Sequence, residues 1–251
     1  MATLENIEHT VENAVKNVGP GVLKTLNDVS RYTLGVDFDR SAGTIFVTGG
    51  TGIVGHRVAT LLLESGYPTV RLGVKDQDAV SNLSKMGAEI ADFSWEDDSS
   101  YEKALARAHT VIVTTLHPEH WDRHFPLFLE ACKKANVRNV VKVSFYYNPM
   151  FGDDATEKAY RLMIREVPFV NRHHVCDDML RNSGLSFTIL CASHLMSNPL
   201  VYQGQNLRKG NEVCFYGASN GRGVNYVSPN DVAEVAVRVL LGQLSAFTLF
   251  L

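Results

Sequence analysis

The chain has 251 residues, of which 45% are hydrophobic and 20% are charged, and 24 Lys and Arg residues against 27 Asp and Glu residues give a net charge of −3. This is the composition of an ordinary globular protein, and it excludes wholesale disorder. The charge balance lacks the basic excess of a nucleic-acid-binding protein, and no stretch approaches the roughly 20 apolar residues that span a bilayer, so we expect neither nucleic acid as a partner nor a transmembrane segment.

Residues 1–43 are predicted to form an N-terminal helical extension that ends in a linker. Apolar residues from Leu4 to Val18 recur at helical spacing, and Gly19-Pro20 ends this helix. The extension either packs against its own domain or docks on a protein partner through residues 1–34. It has neither the basic start nor the continuous apolar core of a secretory signal.

The cysteines bear on the compartment. Cys132, Cys176, Cys191 and Cys214 are far apart in the sequence and form no Cys-x-x-Cys pair. In a chain of this size, such spacing is typical of free thiols rather than of a disulfide framework. We therefore expect an intracellular, reducing compartment, either the cytoplasm or an organelle stroma or matrix after removal of a targeting peptide.

The strongest functional signal is a glycine-rich turn between a strand and a helix. Residues 44–48 are β-branched and aromatic, residues 49–55 read GGTGIVG, and apolar residues at helical spacing follow. Gly49 permits a tight turn, Gly52 lets the backbone approach a pyrophosphate, and Gly55 lets the helix pack closely on the strand. The N–H groups of the first helical turn would face the phosphate charge. The pattern predicts dinucleotide binding.

The end of the second strand, residues 69–74, bears on which dinucleotide is bound. Lys75 follows this strand and Arg71 lies within it, and cations there favour the 2′-phosphate of NADP. Asp76 comes one residue later and could instead accept hydrogen bonds from the ribose hydroxyls of NAD. We expect NADP(H) rather than NAD(H), and the alternative for Arg71 is a surface charge at the edge of the strand.

Strands and helices alternate along the rest of the chain. This order predicts right-handed crossovers and a parallel sheet covered by helices on both faces. The ligand is expected beyond the carboxyl ends of the strands, near the glycine turn, Lys75, Asp92, Thr114 and residues 144–147. The predicted strands are residues 88–91, 110–115, 139–144, 213–216 and 247–251, the predicted helices are residues 99–107, 121–135 and 231–241, and residues 208–211 are predicted to be a turn.

Two clusters in the sequence contain possible metal ligands. One cluster is His117, His120 and His124, and the other is His173, His174, Cys176 and Asp177. Pro118 makes the first cluster irregular, and polar or packed side chains explain both, so no metal site is predicted. The sequence also lacks the Gly-x-Ser-x-Gly pattern of a hydrolase nucleophile.

The motifs together resemble the NmrA-like group of atypical short-chain dehydrogenases/reductases. The resemblance is carried by residues 48–55, residues 70–75, Asp92-Phe93, residues 177–190 and residues 224–234, and it covers about residues 44–250. It implies an α/β fold with a Rossmann-type doubly wound parallel sheet and a small C-terminal substrate lobe, in a domain of residues 44–251.

The resemblance also implies roles for individual residues in cofactor binding. Lys75 would meet the 2′-phosphate, and Asp92 and Phe93 would lie beside the adenine. The pyrophosphate would be held by Gly49, Thr51, Gly52, Ile53 and Gly55.

The catalytic positions depart from the family pattern. Catalytic short-chain reductases use a Tyr-x-x-x-Lys pair, in which the Tyr transfers a proton. Here the Tyr position is Phe169, which cannot transfer a proton, and the Lys position is His173. Ser144 retains the reductase Ser position, and Tyr146 or Tyr147 could act as a substitute acid. The candidate catalytic residues are therefore Ser144, Tyr147 and His173.

Two kinds of function remain open at this point. The first is an NADPH-dependent reductase that transfers hydride to a small carbonyl or quinone-like substrate. The second is a non-catalytic NADP(H)-sensing regulator, or an accessory or scaffold subunit of a larger assembly that docks through residues 1–34. Phe169 favours the second kind, whereas the glycine turn is compatible with both.

Overall fold

The computed structural model describes residues 43–114, 121–145, 158, 161–162, 164–210, 226–243 and 248–250. The expectations that fall outside these residues stay predictions. They concern the N-terminal helices, His117 and His120, Tyr146 and Tyr147, and the strand at residues 213–216 with Cys214. Within the described part of the chain, no helix is long and apolar enough to cross a membrane.

A parallel sheet of apolar strands forms the centre of the fold. The described strands are β1 (Thr44–Thr48), β2 (Val70–Val74), β3 (Glu89–Asp92), β4 (Ala108–Val113), β5 (Asn139–Phe145), β6 (Phe187–Ala192), β7 (His194–Leu195), β8 (Tyr226–Val227) and β9 (Thr248–Phe250). Seven of them form one sheet in the spatial order β3-β2-β1-β4-β5-β6-β9, and β7 pairs with β8 apart from it. The order reverses between β1 and β4, so a crevice is expected beyond the carboxyl ends of these two strands.

Helices cover both faces of this sheet. The described helices are α1 (Ile53–Glu64), α2 (Ser81–Lys85), α3 (Ser99–Ala104), α4 (Trp121–Lys134), α5 (Pro168–Arg181), α6 (Asn198–Lys209) and α7 (Pro229–Leu240). On one face, Leu62 of α1 and Val237 of α7 are buried against the strands. On the other face, Tyr101 of α3, Phe128 of α4 and Leu180 of α5 are buried. The expected Rossmann-type doubly wound sheet is therefore confirmed.

The part of the chain after β6 differs from the sequence expectation at one helix. Helix α6 was not predicted, and Arg208 and Lys209 form its last residues rather than a turn. The turn begins at Gly210, where φ is +67°. The α6 sequence has few aliphatic residues and contains Gly204, so it carries little helical periodicity or propensity.

Candidate functional site

The glycine turn between β1 and α1 depends on two of its glycines. Gly49 has φ +65°, a conformation that L side chains rarely adopt. Its carbonyl accepts a hydrogen bond from the Gly52 N–H at 2.8 Å. A Cβ added at Gly55 would lie 2.3 Å from Gly49 O and 2.7 Å from Thr114 Oγ1. The tight turn and the close packing of α1 on it therefore require glycine at both positions.

The amino end of α1 fits an anion. Gly52 is the N-cap and no side chain caps this end, and the first turn of the helix contains no acidic residue. The N–H groups of this turn thus keep their partial positive charge for a phosphate group. Thr51 is exposed and Ile53 is 49% exposed, so neither side chain is buried in the core. The five residues predicted to hold a pyrophosphate lie in this turn or at the start of α1, and their role stays a prediction.

Thr48 and Thr114 join β1 to β4 where the strand order reverses. Thr114 Oγ1 donates to the Thr48 carbonyl at 2.6 Å, and Thr48 Oγ1 donates to the Ile112 carbonyl at 3.2 Å. The Thr114 N–H in turn donates to Thr48 Oγ1 at 3.3 Å. These bonds fix the floor of the crevice. The Thr114 hydroxyl proton is used inside the protein, so this hydroxyl is left only its acceptor capacity toward a ligand.

Lys75 and Asp76 follow β2 at the carboxyl edge of the sheet. The Lys75 side chain is 60% exposed, and its ammonium pairs with Glu96 Oε2 at 2.8 Å. Asp76 Oδ1 accepts the backbone N–H groups of Asp78 at 3.0 Å and Ala79 at 3.3 Å. One carboxylate oxygen of Asp76 therefore already accepts hydrogen bonds from the loop that follows it.

The structure places Arg71 away from the other predicted cofactor residues. Its guanidinium binds Glu89 Oε2 at 2.7 Å and the carbonyls of Ala104 and Ala106 at 3.1 and 2.6 Å. These carbonyls lie at the end of α3 and just after it, where a cation is favourable because of the helix dipole. Arg71 thus ties β2 to β3 and to α3, and we leave it out of the proposed 2′-phosphate site.

Asp92 ends β3 and Phe93 follows it, and the two residues differ in exposure. Asp92 is exposed at the carboxyl end of the strand. Phe93 is only 4% exposed, and its ring packs on Phe46 and Trp95 at centroid distances of 5.5 and 5.1 Å. The Phe93 ring therefore belongs to the core beneath the site, which leaves only its backbone to meet an adenine.

Polar groups meet inside the protein near the carboxyl end of β5. Lys142 Nζ contacts Asp177 Oδ1 at 2.6 Å, and the side chains of Lys142 and Asp177 are 0% and 9% exposed. Ser144 Oγ donates to Asp177 Oδ2 at 2.7 Å and accepts from Lys142 Nζ at 3.2 Å. His173 Nδ1 lies 3.4 Å from the same Ser144 oxygen. The structure thus brings together Ser144 and His173, two of the three predicted catalytic residues.

His173 and His194 lie near β5, and the surroundings of both side chains disfavour the protonated form. Burial, and then the charge of Lys142, lower the pKa of His173 well below its usual value. Burial also lowers the pKa of His194. Both imidazoles are therefore neutral at neutral pH.

Aromatic rings form an apolar wall beside this network. The Phe145 ring lies edge-on to Phe169 at 5.3 Å and to His194 at 5.2 Å, and it is 6.5 Å from the ring of His173. Tyr226 follows at 5.9 Å from His194. Phe169 and Tyr226 are 44% and 36% exposed, so the wall reaches the surface. Phe169, at the family's Tyr position, contributes an apolar surface and no proton.

Several described side chains of the two possible metal clusters pair with carboxylates or are buried, while His117 and His120 lie outside the described residues. Nδ1 of His124 pairs with Asp98 at 2.7 Å, next to α3. His174 pairs with Asp178 at 3.5 Å. Among the described residues, no group of three or more His, Cys, Asp or Glu side chains is placed to hold a metal ion. Cys132, Cys176 and Cys191 are buried free thiols.

Lys142 and Asp177 form a buried ion pair beside Ser144 that the sequence reasoning did not predict. Lys142 interrupts an apolar strand, NVVKVSF, that was predicted to be buried on both faces. A buried ammonium requires a buried anion, and Asp177 follows His173 by one helical turn. A lysine inside an otherwise apolar strand was therefore the signal that could have revealed the pair.

Comparison with known proteins agrees with this geometry. The family model described as NAD(P)H-binding matches residues 49–242. Prestalk A differentiation protein A of Dictyostelium discoideum is 26% identical over 202 residues, which are 79% of this chain and 60% of that protein. Probable pinoresinol-lariciresinol reductase 3 of Arabidopsis thaliana is 22% identical over 208 residues, which are 80% of this chain and 64% of that protein.

A solved structure shows the same fold. The NADPH-dependent quinone oxidoreductase of Escherichia coli, crystallised with NADPH, superposes with a TM-score of 0.61 at 20% identity over 82% of this chain and 67% of that one. This chain spans about 60% of the length of the first curated relative. Several relatives are named as reductases or as an isoflavone reductase homolog, which agrees with the group that the sequence resembles. The chain belongs to the NAD(P)H-binding family.

Proposed function

We propose that this protein binds NADP(H) across the crevice between β1 and β4 and reduces a small carbonyl or quinone-like compound. The observation that carries the proposal is the buried network of Lys142, Asp177, Ser144 and His173. Removing two charges from water costs several kcal/mol per ion, so a pair of this kind is a poor device for stability alone. Its position beside the crevice supports a role in orienting Ser144 and His173.

The proposed cofactor contacts follow the carboxyl edge of the sheet. The pyrophosphate lies over the amino end of α1, where Gly52 is the N-cap and no side chain caps the helix. Lys75 meets the 2′-phosphate, and this requires its pairing with Glu96 to loosen. Because Asp76 already accepts two backbone N–H groups, it is a poor partner for the ribose hydroxyls of NAD. These contacts favour NADP(H), the cofactor bound in the E. coli quinone oxidoreductase.

The proposed reaction needs an acceptor that is held and polarised. The bound reduced nicotinamide supplies hydride, and the acceptor oxygen must then receive a proton. Ser144, Tyr147 and His173 are the candidates for holding the acceptor, and one of them or a solvent molecule supplies the proton. The aromatic wall of Phe145, Phe169 and Tyr226 suits a planar, apolar acceptor such as a quinone.

A second candidate function is a non-catalytic NADP(H)-sensing regulator or an accessory subunit docked through residues 1–34. The observation that favours it is Phe169, which stands at the Tyr position and packs edge-on against Phe145. One relative is named for differentiation rather than for a reaction. In this alternative, the dinucleotide stabilises a surface and is not consumed.

Binding and turnover experiments separate the two candidates. The full chain is titrated with NADPH, NADP and NADH, and absorbance of the reduced nicotinamide is then followed with a panel of quinones. Oxidation of NADPH that depends on the quinone supports the reductase. Tight binding without oxidation supports the regulator, and no binding of any dinucleotide overturns both. In a reductase, His173→Ala and Tyr147→Phe should each lower kcat/KM; turnover that survives both changes contradicts the placement of these two residues at the acceptor.

A further inference from the structure

The buried network fixes where the hydroxyl proton of Ser144 points. The Ser144 oxygen lies 2.7 Å from Asp177 Oδ2, and Oδ1 of the same carboxylate is paired with the Lys142 ammonium at 2.6 Å. A carboxylate oxygen has only lone pairs to offer, so a contact of 2.7 Å between two oxygens requires the serine proton between them. Ser144 therefore donates to Asp177 and cannot donate to His173.

This assignment determines what Nδ1 of His173 can do. The Ser144 oxygen, 3.4 Å from Nδ1, has no second proton and can only accept. The Lys142 N–H reaches the same oxygen at 3.2 Å, which leaves one lone pair for the imidazole. Nδ1 must carry the ring proton if this contact is a hydrogen bond. In a neutral imidazole Nε2 then carries a lone pair.

The ring is neutral under ordinary conditions. Burial and the nearby Lys142 charge lower the pKa of His173, so the alternative with protons on both nitrogens is disfavoured at neutral pH. The charged groups that face the ring in the described structure are Lys142 from β5 and Asp177 from its own helix, and they are already paired with each other. Asp178, the next acid along α5, points elsewhere and pairs with Arg181 at 2.9 Å and His174 at 3.5 Å.

We propose that Asp177, held by Lys142, is a positioning residue that places the ring proton of His173 on Nδ1 and makes Nε2 a hydrogen-bond acceptor. It acts through Ser144 and touches no ligand itself. Any group that contacts Nε2 of His173 must then donate a hydrogen bond to it, which a carbonyl oxygen cannot do. In the reductase proposed above, on which this consequence rests, neither His173 nor Ser144 supplies the proton to the acceptor. Among the predicted residues, only Tyr147 is left for that step.

The tautomer can be measured directly and without any ligand. The full chain is labelled with 15N in its nine histidines, and NMR correlations from the ring carbon protons distinguish a protonated nitrogen from a lone-pair nitrogen. The His173→Gln variant identifies the His173 signals by their loss. At pH 7 we expect Nδ1 to be protonated and Nε2 to be the lone-pair nitrogen. Protonation of Nε2 instead overturns the proposal.

Three variants test whether Asp177 sets this state. In Ser144→Ala, the acceptor facing Nδ1 is removed, so the Nε2-protonated form should appear. In Asp177→Asn, the new amide can donate to Ser144, which then turns its proton to Nδ1 and should produce the same switch. The matched control Asp178→Asn changes the neighbouring acid on α5 and should leave the His173 signals unchanged. If the buried Lys142 prevents Asp177→Asn from folding, Ser144→Ala decides, and an unchanged tautomer in Ser144→Ala refutes the proposal.

This measurement does not depend on the proposed function. A protein that shows the expected tautomer but oxidises no NADPH keeps the positioning role and loses the reductase assignment. A protein that reduces quinones with Nε2 protonated loses the positioning role and keeps the reductase assignment.

Discussion

The close packing of α1 on the glycine turn leads to a quantitative prediction for Gly55→Ala. The added Cβ would lie 2.3 Å from the Gly49 carbonyl oxygen, whereas ordinary van der Waals contact begins at 3.4 Å. The turn would have to move by about 1 Å, and the same carbonyl accepts the Gly52 N–H at 2.8 Å. The displaced backbone is the backbone that we expect to hold the pyrophosphate.

The size of the effect follows from two opposing contributions. Forcing an extra methyl group into a packed site costs ~1–3 kcal/mol. Replacing a helical glycine by alanine gives back ~0.5–1 kcal/mol through backbone propensity. We expect the free energy of unfolding to fall by ~1–2 kcal/mol. A similar loss at the binding turn lowers NADPH affinity by on the order of tenfold, because ~1.4 kcal/mol corresponds to a factor of ten.

The assay combines NADPH titration with urea unfolding, and the chain contains a matched control. Gly204 also lies within a helix, and among the described residues no atom is within 4 Å of a Cβ added there. Gly204→Ala should leave NADPH affinity unchanged and raise the free energy of unfolding by ~0.5–1 kcal/mol. The reasoning is refuted if Gly55→Ala binds NADPH as tightly as Gly204→Ala does.

Three further predictions concern charged and titrating groups. Lys75→Glu should lower the affinity for NADPH by on the order of tenfold and the affinity for NADH much less, because only NADPH carries the 2′-phosphate. The control is Lys133→Glu, which changes another exposed lysine paired with a glutamate. Equal losses of affinity for the two dinucleotides would count against the assignment of Lys75. Arg71→Met should lower the free energy of unfolding by ~1–3 kcal/mol, because the hydrogen bonds to the carbonyls of Ala104 and Ala106 are lost. The ratio of NADPH affinity to NADH affinity should stay constant. A changed ratio would indicate that Arg71 does contact the cofactor. Because the pKa of His173 is lowered in the folded state, its contribution to stability is complete above about pH 6.5 and is lost as the pH falls, by at most ~1.4 kcal/mol per pH unit. Urea unfolding between pH 7 and 5.5 should therefore show a weaker dependence of the free energy of unfolding on pH in His173→Gln than in the original protein. An identical pH dependence in the two proteins would contradict the lowered pKa.

Local sequence patterns were sufficient to predict the fold and the glycine turn. The buried strands are continuous apolar runs, and each lies between helical segments, so the parallel sheet could be predicted without knowledge of any long-range contact. The roles of Gly49 and Gly55 follow from the same local logic, because a tight turn and a close helix packing both require the absence of a side chain. Ser144 and His173 were predicted from the resemblance to the NmrA-like group and not from a local pattern.

Other features depend on where side chains end in three dimensions. No local sequence pattern predicts that the Arg71 guanidinium reaches the end of α3, or that the Phe93 ring is buried in the core. Helix α6 has too little periodicity to be predicted from its own residues, and packing and tertiary context decide its formation. Lys142 and Asp177 are 35 residues apart in the chain, and only the packing of α5 on β5 brings them to 2.6 Å.

The sequence by itself determined the layers of the fold, the position of the crevice and the turn that faces a phosphate, because these depend on periodicity and on backbone freedom. The tertiary structure decided which charges are paired, which aromatic ring is buried, and which hydroxyl lies beside Nδ1 of His173. These properties depend on distances between side chains from separate elements, since a hydrogen bond or an ion pair forms only when folding brings both partners within about 3 Å.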